Sequence, residues 1–523
     1  MSAMTLAEFR EQVRGEVVAP GEAGYDDARA VHNGMIDRRP AVVVRVANAG
    51  DVMAAVSYAR ENALELSIRG GGHSAPGFGT NDGGVVVDFS VMRGVRVDPA
   101  TQTARAEGGV TWGDFNAATH AFGLATTGGI ISTTGIAGLT LGGGIGYLSR
   151  GYGLSLDSLV SADVVTADGK FVVASKDENP DLFWALRGGG GNFGVCTSLE
   201  YQLHPVNDVY WGPMFYEIEE TENVLRFYRD YIKDAPEQMG AFPAFQVAPP
   251  LPFIPEDRHG DLFVAIVACW AGDPQEGERR FRAFHEVAEV KAEHVGLVPY
   301  PAINAAFDGL FPKGIRQYWK GNFVKELSDE AIAAHVEHGA KTPTVSSTMH
   351  LYPIDGACHR VGADDTAFGH RDANFSMVVV SAWEDSADDE ANTQWVRDYS
   401  DAISPHSEQG GYINFMAADD DTRIQANYGQ NYDRLVAVKR KYDRLIRGEH
   451  RIEFAIGNSM RMLGRGLQRH QIDNIDDADF DFRQVGLEQV DRCKRLECRH
   501  VARTRHDDIR LGALIAACPR PNA

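Results

Sequence analysis

Apolar residues in the first 205 positions fall into short β-branched runs set off by glycine. Val42-Val43-Val44-Arg45-Val46 reads as a strand, and residues 49–62, with Val52, Ala55, Val56 and Ala59 at helical spacing, read as an amphipathic helix. Residues 64–69 lead as a strand into a glycine-rich loop, and residues 84–89 leave it as another. From about 206 the pattern changes. Strands such as 262–267 and 375–383 alternate with helical stretches at 273–290, 328–338 and 388–403, which predicts an antiparallel sheet backed by helices and so an α+β chain. Near 410 it shifts again, to Gly411-Tyr412-Ile413-Asn414-Phe415, then Tyr428 to Leu435 and a helix through Lys441. There is no internal repeat and no low-complexity tract.

Residues 70–84, 128–146 and 188–194 hold 20 of the 55 glycines. A fibrous chain would space its glycines periodically, and a flexible linker would mix them with Ser rather than Ile, Leu and Phe. Three separate loops fit an extended ligand approached by backbone at several points, or else the tight turns of a β-rich domain. A strand enters and a strand leaves the first loop, whereas a nicotinamide fingerprint opens a helix, so that reading is set aside. Within Arg69-Gly70-Gly71-Gly72-His73-Ser74, successive N–H groups can form a nest for phosphate oxygens. The one imidazole there either faces a ligand or is a solvated turn residue.

The 523 residues, 44% hydrophobic and 24% charged, allow two or three packed domains. A net charge of -22 argues against nucleic acid or an anionic membrane as partner, since both would be repelled. The first residues lack the basic start and apolar run of a signal peptide, and no window reaches the roughly 18 apolar residues of a membrane span, so a cytoplasmic location is expected. Six scattered cysteines agree with a reducing compartment. Hydrolase elbows, zincin helices, P-loops and Cys-x-x-Cys pairs are missing. Cys493, Cys498, His500 and His506 do not match zinc-finger spacing, and no metal site is expected.

Four segments in order carry a resemblance: Arg69-Gly-Gly-Gly-His73-Ser74, the run from Thr134 to Gly144, the run from Asp181 to Gly194, and Tyr428-Gly-Gln-Asn431-Tyr-Asp-Arg434-Leu435. Together they resemble a bacterial berberine-bridge-enzyme-like flavoprotein of the vanillyl-alcohol-oxidase superfamily, over about Pro20 to Asp443. The resemblance implies a PCMH-type FAD-binding domain in two parts, residues 1–205 (core about 36–205) and the return segment 409–443, with an inserted substrate domain of antiparallel sheet plus helices at 206–408.

It also implies site residues. His73 matches the histidine that bonds the flavin, while Arg69, Gly70, Gly71, Gly72, Ser74 and Gly77 form the first cofactor loop. Gly129, Ser132, Thr133, Gly135, Gly138, Gly142, Gly143, Gly144 and Gly146 match the second. Thr134 falls where the family controls oxygen access, a lean toward oxidase. Where many relatives add a cysteinyl bond this chain has Ile131, so a single tether and a somewhat less oxidising flavin are expected. The family's Tyr-x-Asn-Tyr pattern reads Tyr412-Ile413-Asn414-Phe415, one hydroxyl short. Tyr412 is the candidate for chemistry, Asn414 and Asn431 for holding cofactor; His370 and Arg371 read as structural and Glu384 as solvated.

The function implied is hydride removal from a small alcohol, sugar or secondary metabolite, with electrons passed to O2 or another acceptor. A flavin-containing protein that sequesters a ligand without turnover, for example in resistance, is the alternative; a MurB-type reductase would share the fold but need NADPH. Beyond Asp443 the likeness ends. Residues 444–523 carry 14 Arg and one Lys against 12 acidic residues, which suggests a shifted frame, a fused extension or an added domain, expected to be poorly ordered.

Overall fold

The triple-valine run at 42–44 becomes an inner strand because both its faces are covered. The computed structural model describes residues 3–417, 419 and 423–443. Strands β1 (Glu16–Val18), β2 (Val42–Arg45), β3 (Leu66–Arg69) and β4 (Val85–Asp88) form a sheet in the order β1-β2-β4-β3. Both β2 and β3 run parallel to β4, while β1 is antiparallel to β2. Parallel neighbours need a crossover, usually a helix. Between β3 and β4 the glycine-rich loop 70–84 makes that connection.

A second sheet follows. Strands β5 (Val95–Asp98), β6 (Thr103–Glu107), β8 (Leu159–Val165), β9 (Phe171–Ser175) and β10 (Val195–Gln202) pair antiparallel in the order β5-β6-β10-β8-β9, and short β7 (Leu124–Ala125) pairs β11 (His204–Pro205).

The chain then builds an antiparallel sheet from β12 (Asp208–Glu217), β13 (Met239–Val247), β14 (Leu262–Trp270), β15 (Ala292–Glu293), β16 (Gly296–Pro299), β17 (Arg316–Val324), β18 (Thr348–Pro353) and β19 (Phe375–Trp383). Its order is β15-β12-β14-β13-β18-β19-β17, with β16 also on β12. Helices Thr221–Asp234, Asp329–Gly339 and Asp389–Ile403 cover one face. Alternation sorts the side chains: Met349, Leu351, Met377 and Val379 point to those helices, whereas Tyr352, Val378 and Val380 join Ile145 and Tyr147 of the first part. The period-2 pattern thus decides which residues of β18 and β19 reach the site.

The return segment is packed, not draped. Ile413, Met416, Tyr428, Leu435 and Val438 are buried in the core around Trp112, Trp184 and Tyr201. The α+β architecture agrees with the reading above, with small differences at element ends: the stretch read as helix to 290 ends at His285, where the helix Pro274–His285 closes. Residues 444–523, with the expected disorder and the cysteine-histidine cluster, lie outside the described residues. Among the described residues no helix is long and apolar enough to cross a membrane, and no cluster suits a metal ion.

Candidate active site

At the end of β3, Arg69 turns under the loop rather than toward a ligand. Its buried guanidinium donates to Asp88 Oδ2 at 2.8 Å and to the carbonyl of Ala28, so the charge is satisfied inside the fold. Arg69 also lines the cavity. Above it, the first loop meets the second backbone to backbone. A Cβ at Gly71 would lie 2.3 Å from the nitrogen of Gly135, and Gly72 has φ +74°. Neither position tolerates a side chain, which is why glycine recurs there.

His73 stands in this bare wall. Its Nε2 is 2.9 Å from Thr133 Oγ1, its Nδ1 is 3.4 Å from Thr134 Oγ1, and its ring lies on that of His32 with centroids 3.8 Å apart. Burial, reinforced by His32, lowers its pKa to about 3, so the imidazole is neutral. His32 is fixed by the second part of the chain: Gln317 Nε2 donates to its Nδ1 at 2.9 Å, and Gln317 Oε1 accepts from Trp319 Nε1 at 2.8 Å. That pair of bonds sets the orientation of the Gln317 amide.

A cavity opens between these loops and the β17-β18-β19 face, with about 1410 Å3 not filled by protein, mouth included. Gly70, Gly71, Gly72, His73 and Ser74 form one wall, with Gly129, Ile131, Thr134, Gly135 and Gly138 beside them. Opposite stand Phe307, Phe311, Trp319, His350, Tyr352 and Phe415. A glycine wall rich in N–H groups, with one neutral imidazole, suits a dinucleotide cofactor held by backbone and tethered at its ring. The residues present therefore fit FAD.

Several sequence-derived candidates lie off the cavity. Ser132 gives its N–H and hydroxyl to Asp308, joining the second loop to the segment before β17. Gly77 packs on Ile36, and Gly146 on the backbone of Gly128. Gly142 and Gly143 are kept small by Asn414 and the Tyr412 ring. Asn431 is buried and donates to the carbonyls of Ala363 and Thr366, which makes it a brace of the return segment rather than a cofactor contact.

Tyr412 and Asn414 do line the cavity. The Tyr412 hydroxyl oxygen accepts from Gly144 N–H at 2.7 Å and from Asn414 Nδ2 at 2.8 Å. Burial pushes its pKa up to about 12, against the pull of those donors. With both lone pairs taken and the proton retained, this phenol has no acceptor left for a substrate proton. As expected, Arg371 is structural, bidentate on Asp157 at 2.8 Å; His370 faces the carbonyls of Ala426 and Asn427, and Glu384 is exposed.

Sequence reasoning missed His32, Gln317, Trp319, His350 and Tyr352. His350 Nδ1 and the Tyr352 hydroxyl are 2.6 Å apart, both buried. Their i, i+2 spacing in a strand was the signal that could have found them.

This fold and this site define a flavin-binding oxidoreductase. The FAD binding domain model matches residues 40–175, and the berberine and berberine-like model matches 411–445. The chain belongs to the berberine-like FAD-linked oxidoreductases and is an FAD-dependent enzyme. It is 31% identical over 444 residues to an FAD-linked oxidoreductase of Dictyostelium discoideum, covering 84% of this chain and 94% of that one. With (R)-6-hydroxynicotine oxidase of Paenarthrobacter nicotinovorans it shares 30% over 448 residues, 82% of this chain and 94% of the relative. The crystal structure of 6-hydroxy-D-nicotine oxidase from Arthrobacter nicotinovorans superposes with a TM-score of 0.75 at 27% identity, over 85% of this chain and 97% of that one.

Proposed function

We propose that the enzyme oxidises a small organic alcohol, sugar or secondary metabolite with FAD attached through His73 alone, passing electrons to O2 or another acceptor. The observation that carries this reading is the single cavity wall in which neutral His73 sits among ligand-facing glycines, opposite an aromatic wall from the second part of the chain. When bound, the flavin supplies a two-electron acceptor for hydride from the substrate carbon. Gly70, Gly71, Gly72, Ser74, Gly135 and Gly138 would hold it by backbone; Asn414, oriented by Tyr412 and Leu139 O, would border it.

Nε2 of His73 faces the Thr133 hydroxyl and Nδ1, at the longer distance, that of Thr134; the neutral ring keeps one nitrogen lone pair, the group available for a covalent tether. Ile131 lines the same cavity and offers no nucleophile, and the described cysteines, Cys196, Cys269 and Cys358, are buried away from it. Domain limits near 205 and 409 and a cytoplasmic location belong to the same reading.

Acid denaturation tests it directly. Flavin fluorescence should stay with the wild-type polypeptide and leave with His73→Ala; release of all flavin from the wild type would overturn the tether.

A further inference from the structure

One stretch of the cavity wall, between β16 and β17, is a single chain thick. Residues 305–310 read Ala-Ala-Phe-Asp-Gly-Leu; Phe307 lines the cavity, while Ala305, Ala306 and Gly309 are exposed to solvent. Both ends of the stretch are anchored. Before it, buried Asn304 donates from Nδ2 to the Gly129 carbonyl at 2.5 Å. After it, the Phe311 carbonyl accepts from the His32 ring, and Gly314 N–H donates to the His32 carbonyl at 2.8 Å. Between these anchors the backbone closes on itself in local turns, Asp308 N–H to Ala305 O at 3.2 Å and Leu310 N–H to Phe307 O at 3.0 Å. Such bonds travel with the segment and do not tie it to the rest of the wall.

One side chain does tie it down. Asp308 is the only polar side chain from 305 to 310, and its carboxylate accepts the Ser132 N–H at 2.8 Å and the Ser132 hydroxyl. Two donors of one residue on one carboxylate make a charge-assisted latch between the second glycine loop and this segment. On the inner side the contact is looser: the Phe307 ring centroid is 6.2 Å from that of His350. A Cβ added at Gly309, beside the latch, would meet nothing within 4 Å, so the backbone there has room to turn. A short exposed segment with local backbone bonds and one long-range polar grip belongs to the low-stability end of a fold, where lids are found.

Resting on the flavin oxidoreductase reading, we propose that residues 305–310 are a strap latched by Asp308 onto Ser132, and that the latch sets the size of the molecule that reaches the flavin. O2 passes the closed strap. A ring compound passes when Asp308 releases Ser132 and Phe307 swings outward. Asp308 and Ser132 are then specificity-determining residues that touch neither substrate nor cofactor, and the gate is the same for a substrate and for an electron acceptor of that size.

The experiment therefore needs no substrate. The flavin-loaded enzyme, its flavin content measured first, is reduced with dithionite in the absence of air and mixed with O2 or with 2-methyl-1,4-naphthoquinone, a neutral two-ring acceptor. In either case the reduced flavin loses two electrons and a proton, a second proton comes from water, and the acceptor leaves as H2O2 or as the hydroquinone. Absence of flavin would overturn the oxidoreductase reading and with it the role of the strap; hydrogen exchange tests the latch itself in either case. Asp308→Ala, which removes both bonds, should speed reoxidation by the quinone about tenfold, the scale of one hydrogen bond to a charged group, with reoxidation by O2 within about twofold of wild type. Ser132→Ala, which removes the hydroxyl alone, should give a smaller gain of the same kind. Adding it to Asp308→Ala should change nothing further, because the two residues share one interaction. Hydrogen exchange, read by mass spectrometry with and without flavin, should quicken across 305–310 in Asp308→Ala and stay unchanged in the helix Thr221–Asp234. Equal gains with O2 and the quinone, a quinone rate that does not rise, additive effects in the double variant, or unchanged exchange at 305–310 would each overturn the latch.

Discussion

His32 lies against His73 with ring planes 29° apart and centroids at 3.8 Å, and Gln317 from the other side of the cavity holds His32 in place. The stack shields His73 from water and places a second imidazole where a cation would otherwise be tolerated. Both effects keep His73 unprotonated.

His32→Ala should therefore raise the His73 pKa toward its ordinary value. In the wild type the neutral form persists down to about pH 3, so covalent attachment should be flat from pH 8 to pH 5. In His32→Ala the fall should begin at a higher pH than in the wild type, because protonation removes the lone pair. Incubating apoprotein with FAD across this range, then reading fluorescence on a denaturing gel, checks it; parallel profiles would show that the stack does not set the protonation state.

Arg69 gives a stability prediction. In Arg69→Met, Asp88 loses its closest buried partner, and only half-buried Arg45 at 3.7 Å and the Ser90 donors remain. A cost of about 3 kcal/mol is expected, at the low end for a broken buried pair because of those residual partners. Arg69→Met with Asp88→Asn should recover much of it in urea unfolding. Lost flavin affinity at unchanged stability would instead favour a direct cofactor contact.

The contrast between Arg69 and His73 shows how far the sequence could be read. Glycine density, strand context and motif order identified the cradle and the α+β layout, since both depend on local backbone freedom and on periodicity. A lone arginine beside glycines looks the same whether its head turns up to a ligand or down to Asp88; that depends on β4, 19 residues away. His32 and Gln317, 285 residues apart, meet only because the second sheet closes over the first loop. His350 and Tyr352 lie at i, i+2 on β18, a strand the sequence pattern did not single out, and only the packing of helices on Met349 and Leu351 shows which face meets the cavity.

A buried histidine outside the cavity lining predicts acid behaviour. His335, bonded to Tyr399 at 2.8 Å between helices, has its pKa lowered from 6.5 to about 3 by burial, with His406 and His338 adding to it. Below pH 6.5 the unfolded chain takes up a proton that the folded one refuses. Its contribution to stability is thus full above that pH and declines as pH falls toward 3, by about 1.4 kcal/mol per pH unit. His335→Gln should flatten the acid limb of unfolding free energy by about that slope. An identical slope in the variant would mean that His335 titrates normally.

Finally, the contact between the two cofactor loops can be tested by one carbon. In Gly71→Ala the new Cβ would lie 2.3 Å from the Gly135 nitrogen and 2.8 Å from its Cα. Backbone cannot yield as a flexible side chain can, so the loops must part and the cradle widens. The variant should stay folded yet lose most of its flavin, covalent and free, as read from the ratio of flavin to protein absorbance. Gly296→Ala is the control: its Cβ meets nothing within 4 Å, and stability should move by less than about 0.5 kcal/mol with flavin content unchanged. If Gly71→Ala retained full flavin while losing stability, the close approach would serve the fold alone and the cradle would have to be sought in the third glycine cluster.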